Sequence, residues 1–286
     1  MAQRERGGDG MIPVTYISSA GNTYQLHSKN GVLHKRLPFR SWSWKPRTTE
    51  LEQGVRVSGF TRGAAQFKSE LLFYGSVEEQ TELVNDLHDD FEGDMRRKKT
   101  GRIIVEGQYL DCYVIGVDAR HNKGVTTDSI QIYAPYPYWM QEQKIVLEVS
   151  SVSTSEFLEF PYDFEYDFTA PVMGRKIVRS DFPFDSEFQM VIFGLAVNPR
   201  IVINGYPYTL YATIPQGAYV IVDSKQKSIM MYQLNGTRTD LFNFRNKTES
   251  IFQKIPAGDL DIAWDSSYGV DITVFRERSE PKGALS

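Results

Sequence analysis

The feature that most constrains this chain is a long succession of short apolar runs, each four to nine residues, broken at regular intervals by turn dipeptides. In the second half the runs are GRKIVRS, FQMVIFGLA, RIVING, YTLYATI, AYVIVD, KSIMMYQL, SIFQKI, LDIAWD and VDITVFRE. Between them stand Asn198-Pro199, Asn204-Gly205, Pro215-Gln216-Gly217, Asp223-Ser224, Asn235-Gly236 and Pro256-Ala257-Gly258. Short strands with turn signals every 8 to 12 residues or so predict a β-sandwich. Asn235-Gly236 is a strong hairpin dipeptide, because both residues tolerate positive φ.

The first half has the same character with one interruption. IPVTYI, TYQL, Val55 to Phe60, Ala65 to Tyr74, RIIVEG, YLDCYVIGVDA and SIQIYA read as strands. Val77 to Phe91 reads as a helix: Val77, Val84, Leu87 and Phe91 fall on one stripe. Ser76 with Glu79 forms a capping box, and Gly93 supplies a C-terminal stop. Its acidic face (Glu78, Glu82, Asp86, Asp89, Asp90) and the basic run Arg96 to Lys99 both read as solvated. Residues 37–51, LPFRSWSWKPRTTEL, read as a long exposed loop or arm. PYPYW, Pro135 to Trp139, is a rigid aromatic break that places a domain boundary near 140, because proline cannot donate to a ladder.

With 286 residues the chain suits two domains of ordinary size. The reading is a disordered leader at 1–11, a first domain at 12–139, a second β-sandwich at 140–280 and a frayed tail at 281–286. Aromatics at 13% favour pleated, half-buried surfaces. The net charge of −4 argues against a dedicated nucleic-acid grip, whose affinity comes from neutralising phosphates. No apolar run approaches the roughly 20 residues that span a bilayer. The single cysteine, Cys112, excludes an intrachain disulfide and reads as a small buried residue in a strand.

Signals for chemistry are sparse. His27, His34, His88 and His121 have no i, i+4 pairing and no nearby cysteine, so no metal site is expected. No nucleophile elbow, P-loop or dinucleotide fingerprint is present, and no histidine follows His121. Phe157 to Pro171 mixes aromatics with Glu159, Asp163, Glu165 and Asp167. Aromatic faces beside carboxylates suit sugar binding, so Phe157, Tyr162, Phe164 and Tyr166 are candidates for saccharide contact or partner docking; an interface or packing loop is the plainer reading. Catalytic, metal-binding and cofactor-binding residues are all expected to be none, and the chain is read as a non-enzyme.

Several segments in order resemble the distal tail protein family of siphophages: YISSAGNTYQL, GVRVSGFTRG, SVEEQTELVNDLHDDFEGD, GRIIVEGQYLDCYVIGVDA, IQIYAPYPYW, NPRIVINGYPYTLYATIPQGAYVIVDSKQKSI and IFQKIPAGDLDIAWD. The resemblance covers about residues 12 to 280; the ten-residue leader and 157–171 depart from it. It implies a mainly β fold of two β-sandwich domains, the first tail-tube-like with one flanking helix at about 77–91 and the second galectin-like. It also implies a hexameric ring at the distal end of a phage tail, in the virion tail tip, assembled in the bacterial host cytoplasm or encoded by a prophage. The implied partners are further copies of the chain, a tail-tube protein, and tail-tip hub and receptor-binding proteins, with no sequence-specific nucleic acid, no membrane insertion and no cofactor. Trp42 and Trp44, with Arg40, Lys45 and Arg47 on the same arm, are the candidates for the subunit interface; the two tryptophans can equally pack on their own domain. A carbohydrate-binding, lectin-like module mediating host-surface adhesion is the alternative.

Overall fold

The computed structural model describes residues 13–27, 30–35, 38–122, 124–149, 173–180 and 182–282. The fold is mainly β, with antiparallel pairing throughout the registered strands and one α-helix among the described residues. The chain divides into two compact units, 1–141 with 277–286, and 142–276. The second domain read from sequence ran on to 280; instead the chain returns to the first unit after Arg276. Hydrogen bonds hold it there, among them Arg62 Nη2 to the Ser279 carbonyl (3.3 Å), Gln108 Nε2 to the Lys282 carbonyl (2.8 Å) and Lys282 N–H to Gln108 Oε1 (3.0 Å).

In the first unit the elements are β1 (Val14–Ile17), β2 (Thr23–Gln25), β3 (Val32–His34), β4 (Lys45–Glu50), β5 (Val55–Thr61), β6 (Ala65–Phe73), α1 (Val77–Arg97), β7 (Gly101–Val105), β8 (Gln108–Asn122) and β9 (Val125–Ala134). β8 serves two sheets. Its first residues pair with β7, which pairs with β1 and then β2. From Tyr113 onward, across a register shift between Val114 and Gly116, it pairs with β9, followed by β6 and β3. The shift bends the strand, which lets one chain segment cover two sides of one core. That core holds Val14, Tyr16, Phe39, Leu71, Phe73, Leu110, Ile132 and Trp139, with Cys112 fully buried among them. Glu106 and Gly107, both at positive φ, make the two-residue β7–β8 turn.

α1 closes this unit against β8. The capping box forms as the sequence predicts: Glu79 N–H donates to Ser76 Oγ (3.2 Å), and Ser76 N–H to Glu79 Oε2 (2.9 Å). Leu87 and Phe91 are buried, each worth roughly 1.5–3 kcal/mol of apolar transfer. Gly93 does not stop the helix, which continues to Arg97 and ends on Lys98 in the left-handed region. The extra turn is held through its own buried Asp94, which accepts hydrogen bonds from Tyr16 and Ser19 outside the helix. Nor is the acidic face wholly solvated. Asp90 is buried and accepts from Tyr24 Oη (2.6 Å) and Asn22 Nδ2 (2.9 Å).

β10 (Trp139–Leu147) carries the chain from the first unit into the second. The second unit then contains β11 (Met173–Val178), β12 (Glu187–Phe193), β13 (Ala196–Val197), β14 (Arg200–Ile203), β15 (Tyr206–Thr209), β16 (Thr213–Ile214), β17 (Tyr219–Asp223), β18 (Ser228–Tyr232), β19 (Arg238–Asp240), β20 (Leu260–Asp265) and β21 (Val270–Arg278), the last leaving it after Arg276. One layer has the order β19-β18-β17-β12-β21-β10; the other is β11-β20-β14-β15. Alternate residues point inwards from both layers: Phe188, Met190, Ile192, Val220, Val222 and Ile272 from the first, Ile201, Ile203, Tyr208, Ile262 and Trp264 from the second. Phe188 meets Tyr208 edge-on at 5.4 Å between centroids, so the layers share one core, the arrangement of a sandwich. Asn204-Gly205 is the two-residue turn of β14–β15, with both φ positive. Asn235-Gly236 does lie in a hairpin, but within a longer loop in which only Gly236 has positive φ.

Candidate docking surface

The arm read as a loop is in large part a β-hairpin. β4 pairs with β5 and with no other strand among the described residues. All six residues of β4 and six of the seven in β5 are exposed, on both faces. A two-stranded hairpin with nothing behind it is marginal in water, so this one is either held at its base or covered by something else.

Its base is an aromatic cluster in the first unit. Phe39 is buried and packs edge-on against Trp139 (5.2 Å) and Phe67 (5.9 Å), fixing the chain just before Arg40. Trp44, which leads into β4, meets the Tyr138 ring at 6.0 Å. Arg62, which follows β5, places its guanidinium over the same ring at 5.1 Å. Tyr138 also packs on Tyr136 (4.8 Å), whose hydroxyl donates to Glu277 (2.7 Å). Both ends of the hairpin therefore converge on the PYPYW segment.

The register sorts the hairpin's side chains by chemistry. Directly opposed residues share a face. Pro46 with Phe60, Thr48 with Val57 and Glu50 with Val55 form one face; Lys45 with Thr61, Arg47 with Gly59 and Thr49 with Arg56 form the other. Val55, Val57 and Phe60 share a face only because Ser58 is an extra residue in a bulge between the Arg47 and Thr48 positions. Simple alternation would put Phe60 opposite to both valines. The Ser58 hydroxyl donates to the Arg47 carbonyl across the bulge (3.0 Å). The result is an apolar face whose Val55, Val57 and Phe60 are 57%, 48% and 63% exposed, backed by a basic face of Lys45, Arg47 and Arg56. Leu51, at the tip, is also exposed.

Of the residues expected at an interface, Lys45 and Arg47 lie on the basic face and Trp42 is exposed, while Trp44 is divided between solvent and Tyr138. Arg40 sits at the buried foot of the arm. Phe157, Tyr162, Phe164 and Tyr166 lie outside the described residues. Sequence reasoning missed Val55, Val57 and Phe60 as surface residues, because a strand with apolar positions reads as core. The one local signal was the broken alternation at Ser58-Gly59.

The same unit has a second surface feature. The far part of β8, paired through Ala119 to Asn122 with β9, is the edge of its sheet among the described residues. Asp118 to Asn122 are all exposed. An open edge and a free hairpin both offer unpaired backbone N–H and C=O groups.

The titratable groups inside the first unit serve packing. His34 is buried against Phe39 and shares a 2.5 Å hydrogen bond with Ser69; burial lowers its pKa to about 4. His88 Nε2 lies 2.8 Å from the buried Asp128 carboxylate, tying α1 to β9. Among the described residues no three His, Cys, Asp or Glu side chains converge as metal ligands, and no helix is long and apolar enough to cross a membrane.

No protein-family model matches this chain, and no curated protein matches it in sequence. Its fold does match solved structures. The SPP1 Dit (gp 19.1) protein, described as a paradigm of the hub adsorption apparatus in phages infecting Gram-positive bacteria, aligns over 93% of this chain and 99% of its own, with a TM-score of 0.59 at 10% identity. A chain of the phage P2 baseplate in its activated conformation with Ca aligns over 95% and 100%, with a TM-score of 0.61 at 10% identity. The phage p2 baseplate with Sr gives 0.61 at 11% identity over the same shares. Over 93–95% of its length the chain thus shares the fold of these phage Dit and baseplate proteins.

Proposed function

We propose that this chain is a structural subunit of a phage tail tip, forming a ring, six copies in a closed circle, that joins the tail tube to the baseplate and receptor-binding apparatus. The observation that carries the reading is the extent of the fold match, which runs through both units and the full length of the matched chains. The order of the segments read from sequence supports it independently. So does the surface chemistry: a cyclic assembly needs two different patches on each subunit that fit head to tail. The free hairpin, with its apolar face, supplies one, and the open edge of β8 is suited to receive a strand from the next copy. The C-terminal sandwich, read as galectin-like, is then the outward platform for hub and receptor-binding proteins. The chain acts by shape and self-association and has no catalytic role in this reading.

Immunogold labelling of intact virions, with antibody raised against this chain, tests the assignment. Gold confined to the tail end remote from the head is expected. Label along the shaft or on the head, or absence of the chain from the particle, would overturn it.

A further inference from the structure

The hairpin of the first unit carries positive charge on one face only. Lys45, Arg47 and Arg56 share that face with Thr49, Gly59 and Thr61, and no acid stands among them. All three cations are exposed, and none has an ion-pair partner among the described residues. The same unit carries an acidic stripe. Glu78, Glu82, Asp86 and Asp89 are exposed on α1, and they too have no ion-pair partner among the described residues. At about 100° per residue they fall within one arc of about 80°, on the side away from the buried Leu87 and Phe91. We infer that the basic face of the hairpin docks on the acidic stripe of α1 in a second copy of this chain. The inference rests on the ring reading and names the parts of two subunits that meet.

Length, charge and exposure agree. From Lys45 to the Thr49–Arg56 pair the basic face runs about 13 Å, at roughly 3.3 Å per strand residue. From Glu78 to Asp89 the acidic stripe runs about 16 Å, at about 1.5 Å per helix residue. Each surface is unfavourable alone. Carboxylates four residues apart on a helix repel, as Glu78 does Glu82 and Glu82 does Asp86. Arg47 and Arg56 are diagonal neighbours across the two strands, and like charges on one sheet face also repel. Docking relieves both repulsions together. Arg96 and Arg97, further along α1, are already paired with Glu92 and Asp94 and do not neutralise the stripe. Hairpin and helix of one chain form no ion pair with each other among the described residues, so a second copy supplies the complement. The contact joins two different surfaces, as a cyclic assembly requires. The face with Val55, Val57 and Phe60 points the other way and stays available for packing within the same assembly.

Charge exchange on the full chain tests the docking, read as solution mass by sedimentation equilibrium. One variant carries Lys45→Glu, Arg47→Glu and Arg56→Glu; the other carries Glu82→Lys, Asp86→Lys and Asp89→Lys. All six residues are exposed. Each variant alone is expected to associate at least about tenfold more weakly than wild type. An equimolar mixture is expected to recover assembly, because each hairpin then meets a helix of opposite charge and a ring of six lets the two variants alternate. Recovery also shows that both variants are folded. Raising sodium chloride from about 0.05 to 0.5 M should weaken wild-type association at least about tenfold. Three results would overturn the docking and leave the ring reading standing: either variant associating as strongly as wild type, two variants folded by circular dichroism whose mixture stays apart, or wild-type association indifferent to salt. A wild type that never rises above one chain mass would overturn both.

Discussion

The phenol of Tyr16 on β1 donates a hydrogen bond to the carboxylate of Asp94 near the end of α1, 78 residues further along the chain. Asp94 is fully buried, and its other oxygen accepts from the Ser19 N–H (2.8 Å) and Arg97 Nη2 (3.1 Å). Three donors on one buried carboxylate satisfy its charge. They also explain why the helix runs past Gly93. A Cβ at Gly101 would fall on Tyr16 Oη and Asp94 Oδ2, so the close approach requires glycine there.

Two substitutions test this clamp. Tyr16→Phe removes the donor and leaves part of a buried carboxylate unpaired, which costs about 1.5–3 kcal/mol. Gly101→Ala forces the carboxylate and phenol apart at a cost of about 1–3 kcal/mol. Chemical denaturation followed by a probe in the first unit is the measurement, and unchanged midpoints would show that the clamp is not structural.

The buried His34 gives the first unit a specific acid sensitivity. Burial lowers its pKa from 6.5 to about 4. Below pH 6.5 the unfolded chain takes up a proton that the folded chain refuses. The stability tied to the neutral ring is thus complete above pH 6.5 and declines as the pH falls towards 4, by roughly 3 kcal/mol in all. The difference in unfolding free energy between wild type and His34→Gln, measured at pH 7 and pH 4.5, should shrink at the lower pH. A difference independent of pH would contradict the assignment.

Cys112 is fully buried in β8, and burial pushes its thiol far above the ordinary range. Reactivity follows the thiolate and its exposure. A thiol reagent should leave the native chain unmodified and label it completely in denaturant. Rapid labelling under native conditions would mean that β8 opens locally.

Most of the fold was legible in the sequence where its cause is local. Ser76 and Glu79 sit three residues apart and cap a helix whatever surrounds them, and the short runs of the second half became strands except SIFQKI, which forms a turn and a single bridge from Ile255 to Ser186. The misses share a different cause. Gly93 reads as a stop because Asp94's partners, Tyr16 and Ser19, lie far away in sequence. The hairpin read partly as a loop because Pro46 and its charged neighbours obscure the strand pattern. Its apolar face depends on a one-residue bulge, and a register shift leaves almost no trace in a pattern of two. Asn235-Gly236 forms a hairpin of another type because loop length, set by strand pairing, decides the turn.

The bulge itself is open to test. Deleting Ser58 restores simple alternation and should carry Val55 and Val57 to the basic face, away from Phe60. Val57→Ser with Phe60→Ser keeps the register and removes the apolar contacts. Both residues are exposed, so thermal stability should change by no more than about 0.5 kcal/mol for each. Self-association should weaken at least tenfold, since anchors central to an interface carry about 2 kcal/mol or more each. Equal loss of folding stability would assign these residues to the subunit's own core instead.

The most direct measurement is the solution mass of the full chain across a concentration series, by sedimentation equilibrium, alongside the Val57→Ser, Phe60→Ser variant. The account predicts that wild type approaches six times the 32.7 kDa chain mass and that the variant stays at or near one. A wild-type mass of 32.7 kDa at every concentration, or identical assembly by both proteins, would contradict it.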